Sequence, residues 1–278
     1  MLSYRHSFHA GNFADVIKHI VIIEILEHLI NKDNAFDYID THAGAGLYNL
    51  RSEHAEKLQE YRKGVARLKP EDWPELDRYF EILKQYNTSA ELTCYPGSPL
   101  LAMHFLRAKD KAWLFEMHST DAGLLKKNTA GDKRVRVMQD DGYKGLLSLL
   151  PPASRRGLIL VDPSYELKTD YVDVFETISK AYKKFSTGIY AIWYPVVERK
   201  RIDQLEKKLK TSGIKKIQRY ELARTADAPG RGMTAAGMIV INPPWMLMDK
   251  MSSLLPRLLA VLGEDKTAFF KADALVGE

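Results

Sequence analysis

The chain has little cysteine: Cys94 is the single one among 278 residues. One cysteine can form neither an internal disulfide nor a multi-cysteine zinc site, which excludes disulfide-stapled scaffolds and indicates a reducing compartment. Hydrophobic residues make up 45% and charged residues 28% of the chain. This balance is that of a globular protein with one large domain, or one domain plus a small insertion, and it excludes disordered and collagen-like chains.

Long apolar runs are also missing. The longest, residues 20–30, is interrupted by Glu24, Glu27 and His28, and no stretch reaches the roughly 20 apolar residues that a membrane helix needs. The first residues lack the apolar core of a secretory signal, and the scattered histidines lack zinc-ligand spacing. We therefore expect a cytoplasmic protein with neither a membrane contact nor a metal.

Charge of one sign is in small excess, since the net charge is +5. The excess is local, because residues 198–219 contain nine basic and three acidic residues. Such a run permits a nucleic-acid partner, but by itself it is more typical of a solvated helix face.

The order of the predicted elements indicates an α/β fold. Strands are predicted at residues 36–40, 112–117, 134–139, 157–161 and 188–193, and helices at 119–129, 142–150, 171–185 and 198–210. This alternation favours a parallel sheet covered by helices on both faces. Two more strands, 215–223 and 235–241, are joined by a glycine-containing loop at 229–232, which predicts a terminal antiparallel hairpin. The expected sheet therefore has seven strands and is mostly parallel.

Two further segments are predicted to be helical. Residues 12–31 form an amphipathic helix that Asn12 caps. Residues 49–95, which Pro70 and Pro74 interrupt, contain two or three helices. These helices separate the first predicted strand from the second. We therefore expect a helical insertion subdomain at 49–95 within a main domain of residues 1–48 and 96–278.

The predicted strand ends carry polar residues where open parallel sheets bind ligands. After the first strand, Gly44 and Gly46 let the backbone turn tightly beside a ligand, but Asn49 stands where a dinucleotide fingerprint needs a third glycine. Glu116, after the second strand, can accept hydrogen bonds from ribose hydroxyls, and the acids at 140–141 can meet an adenine amino group. Each acid alone is more typical of an exposed loop, but together they favour an adenosine-containing ligand.

The fourth strand ends in the sequence DPSY, residues 162–165. The Asp162 carboxylate and the Pro163 carbonyl could accept both N–H groups of an exocyclic amine and make it a better nucleophile, while Tyr165 could stack on the base. The alternative is a loop with a capping aspartate and a packing tyrosine.

The DPSY sequence resembles motif IV, [D/N/S]-P-P-[Y/F/W], of the amino-methyltransferases that use S-adenosylmethionine. Further runs narrow the resemblance: YRHSFHAGN (4–12) followed by Asp15, Lys18 and His19, DTHAGAG (40–46), YPGSP (95–99), SRRGLIL (154–160) and RGMT (231–234). Together, from residue 1 to about 245, the chain resembles the RlmJ family of 23S ribosomal RNA adenine-N6 methyltransferases. The resemblance implies a Rossmann-like class I methyltransferase fold with a helical insertion after the first strand.

The resemblance also implies roles for individual residues. S-adenosylmethionine, which leaves as S-adenosylhomocysteine, would be bound by a set of strand-end and helix residues: Lys18, His19, His42, Ser98, Glu116, Asp141, Gly142 and Asp162. Asp162, Pro163 and Tyr165 would be catalytic, and Tyr4 and Tyr165 would bind the substrate base. Ser164 replaces the second proline of motif IV, but Pro163 still supplies the carbonyl.

We therefore expect N6-methylation of an unstacked adenine in 23S ribosomal RNA by a monomer. An adenine-N6 methyltransferase acting on DNA is the alternative, because motif IV is common to both. The intact motif argues against a non-catalytic RNA-binding protein, and Asn49 argues against a nicotinamide-dependent oxidoreductase. A second motif-like sequence, NPPW at 242–245, follows a strand expected to run the other way, and we interpret it as a structural turn.

Overall fold

The computed structural model describes residues 4–89, 91–228, 230 and 232–278. Ten strands are assigned in this part of the chain: β1 Asp37–Asp40, β2 Leu47–Asn49, β3 Cys94–Pro96, β4 Lys111–Phe115, β5 Val135–Met138, β6 Gly157–Val161, β7 Ile189–Val196, β8 Ile217–Ala223, β9 Ala235–Ile241 and β10 Phe269–Val276. The α-helices of the same residues are α1 Phe13–Ile30, α2 Glu53–Leu58, α3 Glu60–Lys63, α4 Asp77–Gln85, α5 Ser98–Met103, α6 Ser119–Asn128, α7 Gly142–Leu149, α8 Asp170–Lys184, α9 Arg199–Thr211 and α10 Leu247–Leu262.

The main sheet has the order β10-β8-β9-β7-β6-β1-β4-β5. Strands β5, β4, β1, β6 and β7 are mutually parallel, whereas β9 runs antiparallel to both β7 and β8. The predicted Rossmann-like class I fold with a β8–β9 hairpin is therefore confirmed. The edge at which β1, β4, β5, β6 and β7 end is called the carboxyl edge below, and the opposite one the amino edge.

The sheet has eight strands, so the prediction of seven was one too few. The additional strand, β10, pairs antiparallel with β8 at the edge of the sheet. Its side chains are partly buried on both faces without a clean alternation. Because neither face of β10 is consistently buried, its residues do not alternate between apolar and polar, and no strand was predicted there.

Helix α1 begins at the predicted cap, where the Asn12 side chain accepts hydrogen bonds from the backbone of Ala14 and Asp15 at 2.9 and 3.0 Å. The prediction of an amphipathic helix was wrong, because residues 13–26 are buried without a break. The reason is its position: α1 packs on the sheet at β6, β7 and β9 and is covered by α4, α5 and α10. Its charged residues, among them Asp15 and Lys18, are therefore buried.

Segment 49–95 contains three α-helices, as expected, and short 3-10 turns. Strands β2 and β3, which were not predicted, form a two-stranded antiparallel ribbon where the segment leaves and rejoins the main chain. Its buried side chains, such as Trp73, Tyr79 and Ile82, belong to the same hydrophobic cluster as α1. No helix in the described residues is long and apolar enough to cross a membrane.

Candidate active site

The strand order reverses between β1 and β6, because β4 and β5 follow β1 to one side while β6 and β7 lie on the other. Ligands of open α/β sheets bind outside the carboxyl ends of strands at such a switch point. Asp40 ends β1, and Asp162 follows β6 directly. The fold thus places both carboxylates in the crevice where a ligand is expected.

Asp162 forms an ion pair with Lys18. The Lys18 Nζ atom donates to Asp162 Oδ2 at 2.7 Å and lies 2.8 Å from Asp15 Oδ1. The exposed fraction of these side chains is small: 5% for Lys18, 2% for Asp15 and 13% for Asp162. Lys18 therefore joins α1 to motif IV through a buried carboxylate–ammonium–carboxylate triad.

The charges of the triad follow from its burial. Burial raises the pKa of Asp162, and the charge of Lys18 opposes that rise only in part. Burial alone would lower the pKa of Lys18, but the two carboxylates outweigh it and hold this pKa well above its usual range. Lys18 is therefore a permanent cation next to the motif IV carboxylate.

The N-terminal segment is hydrogen-bonded to the triad. The His6 Nε2–H group donates to Asp15 Oδ2 at 2.9 Å, and the Tyr4 hydroxyl lies 2.9 Å from His6 Nδ1. The Tyr4 backbone N–H donates to Glu166 Oε1 at 2.9 Å, four residues beyond Asp162. The segment from Tyr4 onward is therefore folded over the motif IV loop.

Tyr165 lies in a strained backbone conformation with φ +53°. Its hydroxyl donates to the backbone carbonyl of Trp193 at 2.7 Å, and its ring packs 4.5 Å from the ring of Tyr171. A positive φ on a large side chain costs of order 1–3 kcal/mol and occurs most often at functional sites. Pro163 is buried in the same loop.

The glycine-containing turn after β1 is held by Glu116. Gly44 has φ +62°, and its N–H donates to Glu116 Oε2 at 2.8 Å, while the His118 N–H donates to Oε1 at 2.7 Å. Burial raises the pKa of Glu116, although these two backbone donors oppose it. Each carboxylate oxygen keeps a further lone pair, so Glu116 can still accept from two vicinal hydroxyls.

Asp141 caps helix α7 by accepting from the backbone N–H groups of Tyr143 and Lys144 at 2.9 and 3.2 Å through Oδ1. The next residue must be glycine, because a Cβ on Gly142 would collide with the carbonyl of Thr41. This close approach brings the start of α7 against the turn after β1. His42 lies there edge-on to Tyr143, with ring centroids 5.0 Å apart, and burial lowers the pKa of His42 to about 4.

Asp40 is fully buried and accepts hydrogen bonds from the hydroxyls of Tyr38 and Ser98 at 2.8 and 2.7 Å. Burial raises its pKa to about 6. His19 shares a hydrogen bond of 2.8 Å with the Tyr95 hydroxyl, and burial lowers the pKa of His19 to about 3. Both contacts tie the β3–α5 region to the crevice.

The hydrogen-bond donors and acceptors that line the crevice fit an adenosine-containing cofactor. Glu116 and Asp141 follow neighbouring strands, and the buried Tyr143 hydroxyl has no hydrogen-bond partner among the described residues. An unpaired hydroxyl in a crevice lined with carboxylates is available to a polar ligand. No cluster of metal-binding side chains is found in the described part of the chain.

The structure brings the predicted site residues to one edge of the sheet through direct contacts or neighbouring strand ends, and several of them already form hydrogen bonds within the protein. The Ser98 hydroxyl is donated to Asp40, and Oδ1 of Asp141 is used in capping. Pro229 of the predicted hairpin loop and Arg231 of the RGMT run lie outside the described residues.

Asn242 of the second motif-like sequence lies at the amino edge, since Ile241 pairs with Tyr190 and Ile217 near the strand starts. Its Nδ2 donates to the carbonyls of Ser186 and Gly188, both at 2.8 Å. It is a structural turn remote from Asp162.

Three residues of the site were given no role by the sequence analysis: His6 and Asp15, which it quotes only for the resemblance, and Trp193. An Asp15–Lys18 pair spaced i, i+3 in an otherwise apolar helix is a signal of buried charge that could have revealed Asp15. Trp193 is one position past the Val161–Ile192 register pair, level with Asp162, and its indole centroid is 5.7 Å from Lys18 Nζ. The strand-end rule, applied to β7 as well, would have found it.

Comparison with known proteins gives concordant matches. The family model described as "Ribosomal RNA large subunit methyltransferase D, RlmJ" matches residues 33–275. Proteins called ribosomal RNA large subunit methyltransferase J are similar over nearly their whole length: that of Escherichia coli is 54% identical over 92% of both chains, and that of Haemophilus influenzae 48% identical over 100% of both. A crystal structure from Legionella pneumophila, 36% identical, superposes with a TM-score of 0.87 over 96% of this chain and 98% of that one.

Proposed function

The chain belongs to the RlmJ family of large-subunit ribosomal RNA methyltransferases, and we propose that it transfers a methyl group from S-adenosylmethionine to N6 of an adenine in 23S ribosomal RNA. The observation that carries the proposal is the position of Asp162. It follows β6 at the switch point of the sheet, and one of its oxygens is fixed by Lys18.

Asp162 is suited to accept the target amine. Lys18 occupies Oδ2, which leaves Oδ1 as the acceptor for one N–H group, and the Pro163 carbonyl is the acceptor for the other. Two acceptors pull electron density toward the amine nitrogen and orient its lone pair, so that the amine becomes a better nucleophile. Oδ1 can then take up the proton that the methylated amine loses.

The base itself would be held by aromatic rings. An adenine reaches this loop only when it is unstacked from its helix. Tyr165 is anchored through its hydroxyl to the Trp193 backbone, so its ring is fixed beside Asp162 and available for stacking. The backbone strain at Tyr165 supports this role, because such strain persists where function requires the geometry.

The cofactor supplies an electrophilic methyl group on a sulfonium. Glu116 would bind its ribose hydroxyls, and Asp141 with Gly142 its adenine, because these residues follow β4 and β5 on the same side of the switch point. Buried His19 and His42, whose pKa values of about 3 and 4 keep them neutral, add no positive charge beside the sulfonium. Ser98, fixed on Asp40, would approach the amino-acid part.

Tyr4 would contact the substrate as part of the N-terminal segment. Its hydroxyl is linked through His6 and Asp15 to Lys18 and hence to Asp162. Burial, followed by the charge of Asp162, raises the pKa of the Tyr4 hydroxyl, so this group stays neutral. Its proton is shared with His6 Nδ1, and its oxygen can still accept a hydrogen bond from the substrate without competing for the proton of the target amine.

The substrate is RNA rather than DNA, in line with the names of the curated relatives. Transfer of labelled methyl groups to deproteinised 23S rRNA, to assembled large subunits and to duplex DNA tests this assignment. Digestion to nucleosides should yield N6-methyladenosine from an RNA sample and no label in DNA. Label found only in DNA, or on a ring nitrogen, would overturn the proposal.

A further inference from the structure

A surface cavity of about 280 Å³ lies beside the site and plays no part in the chemistry described above. Its lining consists of Lys63, Arg67, Arg224, Leu262, Gly263 and Glu264. These residues come from three separate stretches of the chain: segment 49–95, the residue after β8 and the turn after α10. We call it the basic cavity, because three cations face one carboxylate.

The cations of the basic cavity are incompletely paired. Lys63 is exposed, and no ion pair to it is found among the described residues. Arg67 donates to the carbonyl of Val261 at 2.9 Å, so its charge is not neutralised. The surplus of two positive charges is therefore available to an anion.

Arg224 is held rigidly at the wall of the basic cavity. Its guanidinium carbon lies 4.6 Å from the centroid of the Phe13 ring, and Nη1 is 3.0 Å from Glu264 Oε1. Its Nε–H group is buried with no hydrogen-bond partner in the described part of the chain. The Arg224 side chain is 23% exposed, and a stacked arginine is a preorganised receptor for phosphate oxygens through its accessible donors.

The basic cavity lies at the carboxyl edge, like Asp162. The Arg224 N–H donates to Thr234, whose own N–H donates to Val196, the last residue of β7. On the other side, Glu60 accepts from His9 at 3.0 Å, and the His9 ring stacks on Tyr4 with centroids 5.6 Å apart. Burial raises the pKa of Glu60, but the hydrogen bonds from His9 and Asn12 and the charges of His9 and Arg224 outweigh it and lower this pKa.

The basic run at residues 198–219 does not line the basic cavity and extends away from the carboxyl edge. Helix α9 leaves the carboxyl edge at Arg199 and ends near the amino edge, where Ile217 is level with Tyr190. Arg199 and Arg219 are also engaged in internal ion pairs, with Glu221 and Asp227 and with Glu206 and Asp273. The C-terminal part of this run is therefore remote from the target base, whereas Arg201, at the start of α9, lies over the ring of Tyr171.

We propose that the basic cavity binds a phosphodiester of the RNA strand that carries the target adenine. The proposal rests on the function proposed above and deepens it by naming where the backbone is held. A nucleotide that turns out of its helix needs its flanking backbone fixed, and phosphate contacts supply position and affinity without reading sequence. The cavity is connected to Tyr4 through Glu60 and His9, and we place the phosphate that flanks the target nucleotide there.

The test compares two double variants that each remove two positive charges. Lys63→Gln with Arg67→Gln alters the basic cavity, and Lys207→Gln with Lys210→Gln alters exposed residues of α9 as a matched control. Direct binding of deproteinised 23S rRNA is measured over a range of salt concentrations, together with KM for the RNA, kcat and the affinity for S-adenosylmethionine. Urea unfolding shows that each variant is folded.

The cavity variant should bind RNA about tenfold more weakly, and the slope of log K against log salt should become shallower by about one to two. Its kcat at saturating RNA and its cofactor affinity should stay at the wild-type values, and the control should change RNA affinity less than about twofold. Unchanged RNA affinity and salt slope in the cavity variant would overturn the proposal, as would an equal loss in the control. If the cavity variant binds RNA as tightly as the wild type does, an acidic protein segment becomes the expected occupant of the basic cavity. Failure of the wild-type enzyme to methylate rRNA would refute the proposed function separately, since the binding measurement does not depend on turnover.

Discussion

Lys18 Nζ lies 2.7 Å from Asp162 Oδ2, across 144 positions of sequence, and both side chains are largely buried. This contact fixes one carboxylate oxygen and so selects the other as the acceptor for a target amine. It also makes the charge state of Asp162 depend on a helix that precedes the sheet.

Replacement of Lys18 by methionine should lower kcat by about 100-fold or more, because Asp162 loses its orientation. Since Lys18 opposes the burial that raises the pKa of Asp162, its removal should move the acidic limb of the kcat–pH profile to higher pH. Removing one partner of a buried ion pair should also cost about 3–5 kcal/mol in the free energy of unfolding. A pH profile with an unmoved acidic limb would contradict this account of the pair.

Tyr4→Phe should reduce methyl transfer to RNA while leaving the affinity for S-adenosylmethionine within about twofold, because it removes one hydroxyl hydrogen bond. The ring and its stacking on His9 remain, so the variant separates the hydroxyl link to His6 from the packing of the segment. Deletion of residues 1–9 should cause a larger loss of the same kind. Full methylation of rRNA by the deletion variant would show that the segment has no role in the substrate site.

Glu116→Gln should weaken cofactor binding by roughly 1–3 kcal/mol, the usual cost of losing hydrogen bonds to a charged group. Glutamine keeps one carbonyl oxygen for the backbone N–H of Gly44 or His118, so the glycine turn is disturbed less than it would be by alanine. Calorimetry with S-adenosylmethionine measures the effect. An unchanged affinity would remove Glu116 from the cofactor site.

His19 should make stability sensitive to acid. Its pKa is about 3 in the folded protein because of burial and near 6.5 when unfolded, so the unfolded state alone takes up a proton between these values. Stability is therefore fully present above about pH 6.5 and is lost as the pH falls toward 3. In urea unfolding, His19→Gln should reduce the slope of this loss by up to about 1.4 kcal/mol per pH unit; identical slopes would contradict the neutral assignment.

The sequence was sufficient for the parallel strands, for the β8–β9 hairpin and for the strand ends, since β6 is an uninterrupted apolar run followed directly by Asp162. It could not reveal β10, because neither face of this edge strand is consistently buried and its sequence has no period-2 pattern. It could not reveal the triad either, because the partner of a buried charge is set by tertiary packing: nothing local to Lys18 indicates Asp162. The basic cavity is still less visible, since Lys63, Arg67 and Arg224 converge only in the fold.

The domain boundaries at 48/49 and 95/96 stay a prediction, as does the monomeric state. The boundaries fall within the β2–β3 ribbon, and Tyr95 of that ribbon bonds His19 of α1. Segment 49–95 therefore contributes directly to the residues around the crevice, although its helices were predicted as a separate unit.

The central claim is that Asp162 acts on the target amine, and single-turnover methylation of 23S rRNA by Asp162→Asn tests it most directly. Asn242→Ala, which alters the motif-like turn at the amino edge, is the matched control. We predict that Asp162→Asn loses about 100-fold or more in rate while binding S-adenosylmethionine with nearly wild-type affinity, and that Asn242→Ala methylates at the wild-type rate. A near-normal rate for Asp162→Asn or for Asp162→Ala would contradict the account, and a loss of rate in Asn242→Ala would then assign the chemistry to the second motif-like sequence.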